Sequence, residues 1–200
     1  VTDHRVTGLL LAAGGGSRMG MPKALVRGGD GVPWVVRSVR LLMAAGCSPV
    51  VVVVGARASE VEALLALEFG PRSAVVVAHA EEWASGMAAS LRAGLAAVAH
   101  EKSSPIGVLV TLVDLPELTV EALERVLSRA RANEHPESAL VRAAYDGMPG
   151  HPVFIGRRHW AAVAADVSGD AGAGRYLRAH NAQHVDCSDL GGGDDRDTAR

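Results

Sequence analysis

The sequence predicts an α/β fold: a single domain built on a doubly wound, mostly parallel sheet. Three observations predict it. Strand-length apolar runs alternate with amphipathic helical stretches along almost the whole chain. The run at residues 50–54 is apolar at every position, as in strands covered on both faces. Ala, Val, Leu and Gly dominate a composition that is 48% hydrophobic but only 4% aromatic, which suits small-residue helices on a parallel sheet better than an all-β sandwich. A chain of 200 residues can bury a substantial core without staples. Residues 1–190 are assigned to this doubly wound domain, and residues 191–200, rich in Gly, Asp and Arg, to a mobile tail.

The elements follow in order. Residues 6–12 form an apolar run ending in glycines, a buried strand feeding a loop. Residues 24–26 suit a short extended piece, and the next glycines a turn. A helix is expected over 33–45, with Pro33 in its first turn and Gly46 at its C-terminal cap. A strand over 50–54 leads to a helix over 59–67, with Ser59 as N-cap and Glu62 completing a capping box. Strands over 74–78 and 106–113 bracket a helix over 87–99, and Thr119 caps a helix over 120–132. Strands at 139–143 and 153–155 flank a Gly/Pro turn. Helical stretches over 157–165 and 174–180 precede a last strand over 183–187.

A net charge of -2 offers no overall basic field for nucleic acid, so any phosphate binding rests on local cations. Cys47 and Cys187 lie far apart in no CxxC pattern and read as free thiols of a reducing compartment. The start of the chain shows no secretory signal, and no apolar run approaches ~20 residues, so a cytoplasmic protein without a membrane span is expected. His180-x3-His184 lacks the glutamate of a zinc helix. His79, Trp34 and Trp160 read as packing or surface residues.

The strongest motif runs Leu11-Ala12-Ala13-Gly14-Gly15-Gly16-Ser17-Arg18-Met19-Gly20-Met21-Pro22-Lys23. Glycines after a strand let backbone N–H groups face an anion without Cβ obstruction. Ser17 adds a hydroxyl donor, Arg18 a planar fork and Lys23 a second cation, a set suited to a triphosphate. A Walker loop fails because Met21 follows Gly20, and the six-residue dinucleotide fingerprint fails at Met19, which leaves only a looser spacing through Gly20. No acid follows the 50–54 strand to hold a ribose, which disfavours an NAD-linked oxidoreductase. A nucleophile elbow also fails at Met19. On spacing alone, Asp114, after the 106–113 strand and before Pro116, is equally a turn residue or a ligand for Mg²⁺ at the ligand-binding edge of the sheet. Gly86 opens a helix that carries Ser90 one turn in.

The glycine-loop motif resembles the signature of the molybdenum cofactor nucleotidyltransferases (MobA/MocA-like). Its Ala-Ala-Gly and Pro-Lys steps look more like the cytidylyl than the guanylyl branch. The resemblance implies that residues 14–18 wrap the triphosphate, that Lys23 binds phosphate and that Ala12 and Ala13 lie near the base. It implies that Asp114, in an Asp-x-Pro step, holds Mg²⁺, and that the Trp83-to-Leu91 stretch brings Gly86 and Ser90 to the nucleotide. His151, in a Gly-His-Pro step, is either an acceptor-phosphate donor or a turn histidine holding backbone. Asp170 lies in a stretch that shapes the acceptor pocket in the family, and Arg175 follows one position later than the family's arginine. In the tail, Asp197 matches the start of an acidic motif that completes the metal site in relatives, although the rest of that motif is missing.

The activity so implied is transfer of a nucleoside monophosphate from a triphosphate, CTP by preference, to a phosphorylated acceptor, molybdopterin or its metal-loaded form, with release of pyrophosphate. A molybdoenzyme is then the expected recipient of the product. Arg18, Lys23 and Asp114 are the candidate catalytic residues. Alternatives are the same chemistry on a sugar phosphate, alditol phosphate or phospholactate, and a non-catalytic protein that binds nucleotide and delivers cofactor.

Overall fold

The computed structural model describes residues 5–16, 19–100 and 104–192. Seven strands form one sheet: β1 (Val6–Leu11), β2 (Val50–Val54), β3 (Val75–His79), β4 (Gly107–Leu112), β5 (Leu140–Tyr145), β6 (Met148–Gly156) and β7 (Gln183–Asp186). Their spatial order is β3-β2-β1-β4-β6-β5-β7. All neighbours pair in parallel except β6, which runs antiparallel to both β4 and β5. Helices α1 (Trp34–Ala44), α2 (Ala58–Phe69) and α4 (Val120–Arg131) cover one face, where Val36, Leu65 and Leu123 join one apolar cluster. Helices α3 (Met87–Ala99), α5 (Trp160–Asp166) and α6 (Gly174–Ala179) cover the other, through Leu91, Val163 and Leu177. The doubly wound sheet expected from the alternation is therefore present. Each fully buried Leu or Val in these two layers contributes roughly 1.5–3 kcal/mol of gross hydrophobic stabilisation.

The order of winding, not the strand direction, reverses between the parallel strands β1 and β4. From β1 the chain winds outward to β2 and β3, then returns to lay β4 against the other side of β1. Such a switch leaves a crevice beyond the carboxyl ends of the two central strands. The glycine loop leaves β1 there and Asp114 follows β4 there.

Several elements differ from expectation. Lys23–Leu25 is a 3-10 turn, because the Val26 N–H closes onto the Lys23 carbonyl at 3.1 Å. α1 begins at Trp34 with Pro33 as its cap, and Gly46 (φ 82°) follows its end. The Ser59/Glu62 box does not form. α2 starts one residue early, at Ala58, after Arg57 in the left-handed region (φ 52°), whose guanidinium pairs with Glu60. Thr119 caps α4 as expected, its hydroxyl accepting from the Ala122 N–H at 3.3 Å. The Gly/Pro stretch expected as a turn is mostly strand. The reversal is confined to Asp146 (φ 51°) and Gly147 (φ 77°), the two positive-φ positions of a tight hairpin, and β6 starts at Met148. Among the described residues no helix is long and apolar enough to cross a membrane.

Candidate functional site

A cavity of about 720 Å³, the size of a small-molecule site, opens at the β1–β4 switch. Its floor is the end of β1 and the loop Gly14, Gly15 and Gly16. Ala12 and Ala13 anchor that loop to β2: the Ala12 N–H donates to the Val53 carbonyl, and the Ala13 carbonyl accepts from the Ala56 N–H, each at 3.0 Å. Gly16 sits at φ 62°, and a Cβ there would lie 1.9 Å from the Met21 carbonyl oxygen, so only glycine allows this bend. The bend returns the chain so that Lys23 faces Asp114. The Lys23 Nζ donates to Asp114 Oδ2 at 2.7 Å, with both side chains largely buried (17% and 18% exposed).

Trp83 and α3 form the opposite wall. The Trp83 ring packs on two glycines: a Cβ at Gly55 would meet it at 2.6 Å and one at Gly15 at 3.2 Å. Gly86 (φ 116°) precedes α3, and a Cβ on it would meet the Gly169 carbonyl oxygen at 2.4 Å and Asp170 Oδ1 at 2.7 Å. The same carbonyl accepts from the Ala88 N–H at 3.0 Å. One donor of the α3 N-terminus is thus already satisfied by protein, and Asp170 is brought to the rim. Ser90, 6% exposed, faces the cavity one turn along.

His151 reaches this edge because antiparallel β6 begins where β4 ends. Its Nδ1 lies 3.4 Å from the Val110 carbonyl oxygen. Burial pushes its pKa down to about 4; the Val110 carbonyl opposes this, Arg142 adds to it and Asp114 opposes it. The ring is therefore neutral at pH 7. With Nδ1–H toward Val110, Nε2 offers a lone pair and suits an acceptor hydroxyl or protonated phosphate better than a dianion. Arg175 does not line the cavity. Its Nη2 binds Asp166 Oδ1 at 2.8 Å and the Asp166 carbonyl at 2.9 Å. The extra residue before it, Gly174, opens α6 and sets Arg175 on an exposed side of that helix.

Of the sequence-predicted residues, the fold brings Ala13, Gly14, Gly15, Gly16, Lys23, Gly86, Ser90, Asp114 and Asp170 around one cavity. Ser17, Arg18 and Asp197 lie outside the described residues. Sequence reasoning quoted Trp83 without assigning it to the site; its packing on Gly55 and Gly15 is a long-range relation that spacing does not reveal. Among the described residues, no group of three or more His, Cys, Asp or Glu side chains could hold a metal ion by itself.

An edge that pairs a glycine loop with an opposed lysine and carboxylate belongs to nucleotide-binding α/β enzymes. The chain belongs to the MobA-like NTP transferase domain family, whose model matches residues 8–185. It is an enzyme of the nucleotidyltransferase class. It is 40% identical to nicotine blue oxidoreductase of Paenarthrobacter nicotinovorans over 96% of this chain and 92% of that one. It is 24% identical to the molybdenum cofactor cytidylyltransferase of Escherichia coli (strain K12) over 74% of this chain and 69% of that one. The crystal structure of Rv0371c from Mycobacterium tuberculosis H37Rv superposes with a TM-score of 0.75 at 27% identity, covering 97% of this chain and 94% of that one. A complex of Rv0371c with manganese also matches the fold, with a TM-score of 0.69 at 24% identity over 92% of this chain and 89% of that one.

Proposed function

We propose that the chain transfers cytidylate from CTP to a phosphorylated acceptor, molybdopterin or its metal-loaded form, in the cytoplasm, and releases pyrophosphate. The observation that carries this is the Lys23–Asp114 pair, 2.7 Å apart beside the glycine loop. The pair holds a cation and a carboxylate where a triphosphate on residues 14–16 would put its oxygens.

Asp114 fits a magnesium ion. Its carboxylate already pairs with the Lys23 ammonium, and magnesium characteristically takes one or two carboxylates and fills its shell with phosphate oxygens and water. When bound, the ion would neutralise charge on the phosphates and the leaving pyrophosphate. The other roles fall to the chain itself. The backbone of Gly14, Gly15 and Gly16 cradles phosphate, and Lys23 moves from Asp114 onto it. The Ala12–Ala13 backbone, Gly86 and Ser90 border the nucleoside, while Asp170 and His151 face the acceptor. Ser17 and Arg18 as phosphate donors, Arg18 as a catalytic cation, and Asp197 as a second metal ligand rest on the family resemblance alone. A phosphate acceptor is already ionised at neutral pH, so catalysis is positioning plus charge neutralisation, without a strong base. A molybdoenzyme would then receive the dinucleotide form of the cofactor.

The 40% identical relative, named an oxidoreductase, favours a second reading in which the same cavity serves a redox reaction. One set of assays separates the two. Pyrophosphate release is measured with each of the four triphosphates, with and without molybdopterin, beside oxidation of reduced nicotinamide in the presence of nicotine blue. Release that needs both CTP and molybdopterin is expected. Lys23→Ala should lower that turnover roughly 100-fold or more while the melting temperature moves little. Consumption of reduced nicotinamide without pyrophosphate from any pairing would overturn the transferase proposal. Release with a sugar phosphate, alditol phosphate or phospholactate would keep the chemistry and change the acceptor. CTP binding without release would leave a cofactor-delivery protein.

A further inference from the structure

Arg142 is a cation that the chemistry above does not use. It lies on β5, opposite Val153 of β6 and His184 of β7. Strand alternation puts it on the α3 side of the sheet, the side of the cavity: Leu140, two residues earlier, and its partner Val153 both pack in that layer. Its Nη2 donates to the Gly150 carbonyl at 3.3 Å, which sets the guanidinium beside the residue preceding His151. Its Nε is buried with no hydrogen-bond partner. Among the described residues no carboxylate pairs with it. Burial lowers its proton affinity, and the one charged group that adds to this is another cation, Arg178 of α6.

A guanidinium offers five donors in a planar fork, and a part-buried one without a counter-ion is costly to hold. Other arginines of the chain are neutralised: Arg175 by Asp166, Arg125 by Asp189 and Arg158 by Glu137. Arg142 is held instead against a carbonyl and near a second arginine, an arrangement an incoming oxyanion would relieve. The place is one strand beyond β6, whose His151 is within electrostatic reach of both Asp114 and Arg142. An anion at Arg142 therefore approaches the Lys23–Asp114 pair from the side opposite β2, along the edge that the nucleotide proposal leaves for the second substrate.

We propose that Arg142, flanked by Arg178 and adjacent to His151, is the docking point for the phosphate of the acceptor. This deepens the transferase proposal and rests on it for the word acceptor; the anion site itself rests on the side chains above. Arg142 takes the place that the family resemblance would give to Arg175. The phosphate's oxygens accept from the guanidinium fork, and a remaining P–O–H can donate to the Nε2 lone pair of His151.

The test is calorimetric titration of phenyl phosphate, of benzoate and of CTP with magnesium into the whole chain, into Arg142→Gln and into Arg142→Lys. Phenyl phosphate should bind the parent, weaken about tenfold or more in Arg142→Gln and partly recover in Arg142→Lys, while CTP binds all three alike. If Arg142→Gln does not fold, Arg178→Gln, altered at an exposed helix position, replaces it and should weaken phenyl phosphate several-fold. Equal phenyl phosphate binding by the parent and the variants overturns the proposal. So does benzoate binding as tight as the phosphate, which would make this a carboxylate site, and so does a parallel loss of CTP, which would make Arg142 part of the nucleotide site or of the scaffold. Arginine-dependent phosphate binding in a chain that binds no CTP would preserve the anion site and sink the transferase proposal alone.

Discussion

A histidine partly buried in the fold resists protonation, and His151 carries that resistance into the stability of the protein. Its pKa of about 4 lies below the ordinary value of 6.5. Between those values the unfolded chain binds the proton more readily than the folded one, so stability falls as pH drops from about 6.5 to 4 and is fully present above that window. His151→Asn should flatten this slope, removing a loss of at most about 3 kcal/mol across the window. Urea midpoints measured from pH 8 to pH 4 check it. Parallel curves for parent and variant would mean that His151 is not the group taking the proton. At this scale the sequence was informative where chemistry is local. Lys23 and Asp114 are 91 positions apart: Lys23 could be read as a cation ending a glycine loop, whereas Asp114, after an apolar strand, was on spacing equally a turn residue and was favoured as a ligand only through the family resemblance. Arg142 was missed although a signal existed: it is the one charged residue of an otherwise apolar run, Leu140-Val141-Arg142-Ala143-Ala144. A cation at a core-facing strand position is costly without a partner, and that cost was readable.

Gly86 shows how two elements are fitted together. It joins the Trp83–Ser85 turn to α3, and its missing Cβ lets the Gly169-Asp170 loop close on the start of that helix. Gly86→Ala would put a methyl group 2.4 Å from the Gly169 oxygen and also demand φ 116° of an L-residue. It should cost roughly 1–3 kcal/mol and displace Asp170 from the rim. Gly174→Ala is the control. Nothing lies within 4 Å of its Cβ position, it opens α6 without a positive φ, and the change should be neutral or stabilise by up to about 1 kcal/mol. Paired thermal melts decide the matter: equal shifts in the two variants would mean that the loop–helix contact is dispensable. Most elements were readable because the apolar period changes between strand and helix. The exceptions lay where short-range chemistry competes with that period. Pro149, Gly150 and Pro152 suggested a loop, but Pro149 pairs with Ala144 in the β5–β6 ladder. The true reversal, Asp146-Gly147, was an unread hairpin signal. At the start of α2, Arg57 takes the cap two residues before the expected Ser59 and pairs with Glu60, which leaves Ser59 inside the helix.

Across the whole molecule, the two thiols and the ligand cavity occupy opposite layers. Cys47 and Cys187 are buried in the apolar layer shared by α1, α2 and α4, whereas the cavity opens toward α3. Burial pushes the Cys47 thiol up to about 12 from 9.0, and burial also raises Cys187. A buried, protonated thiol is a poor nucleophile, so both should be silent to a disulfide reagent at pH 8 until the layer opens. Strands from both halves of the chain share the sheet, with β1 paired to β4 and β7 at its far edge, so the layer has no obvious seam along which to open in parts. Both thiols should therefore become reactive together, at one urea midpoint that coincides with loss of helical circular dichroism. A ligand confined to the opposite layer can protect them only through mass action on the folded state. CTP with magnesium at 100 times its dissociation constant should thus raise the unfolding free energy by about 2.7 kcal/mol, and both labelling curves should shift equally. Alkaline pH acts the other way: the unfolded thiol of Cys47 ionises first, so its contribution is present below pH 9 and is lost as pH rises toward about 12. Labelling of Cys187 well before Cys47 would divide the chain into a β1–β4 unit and a less stable β5–β7 unit. It would remove the expectation of a single cooperative domain while leaving the nucleotide cavity, which draws mainly on the first unit, intact.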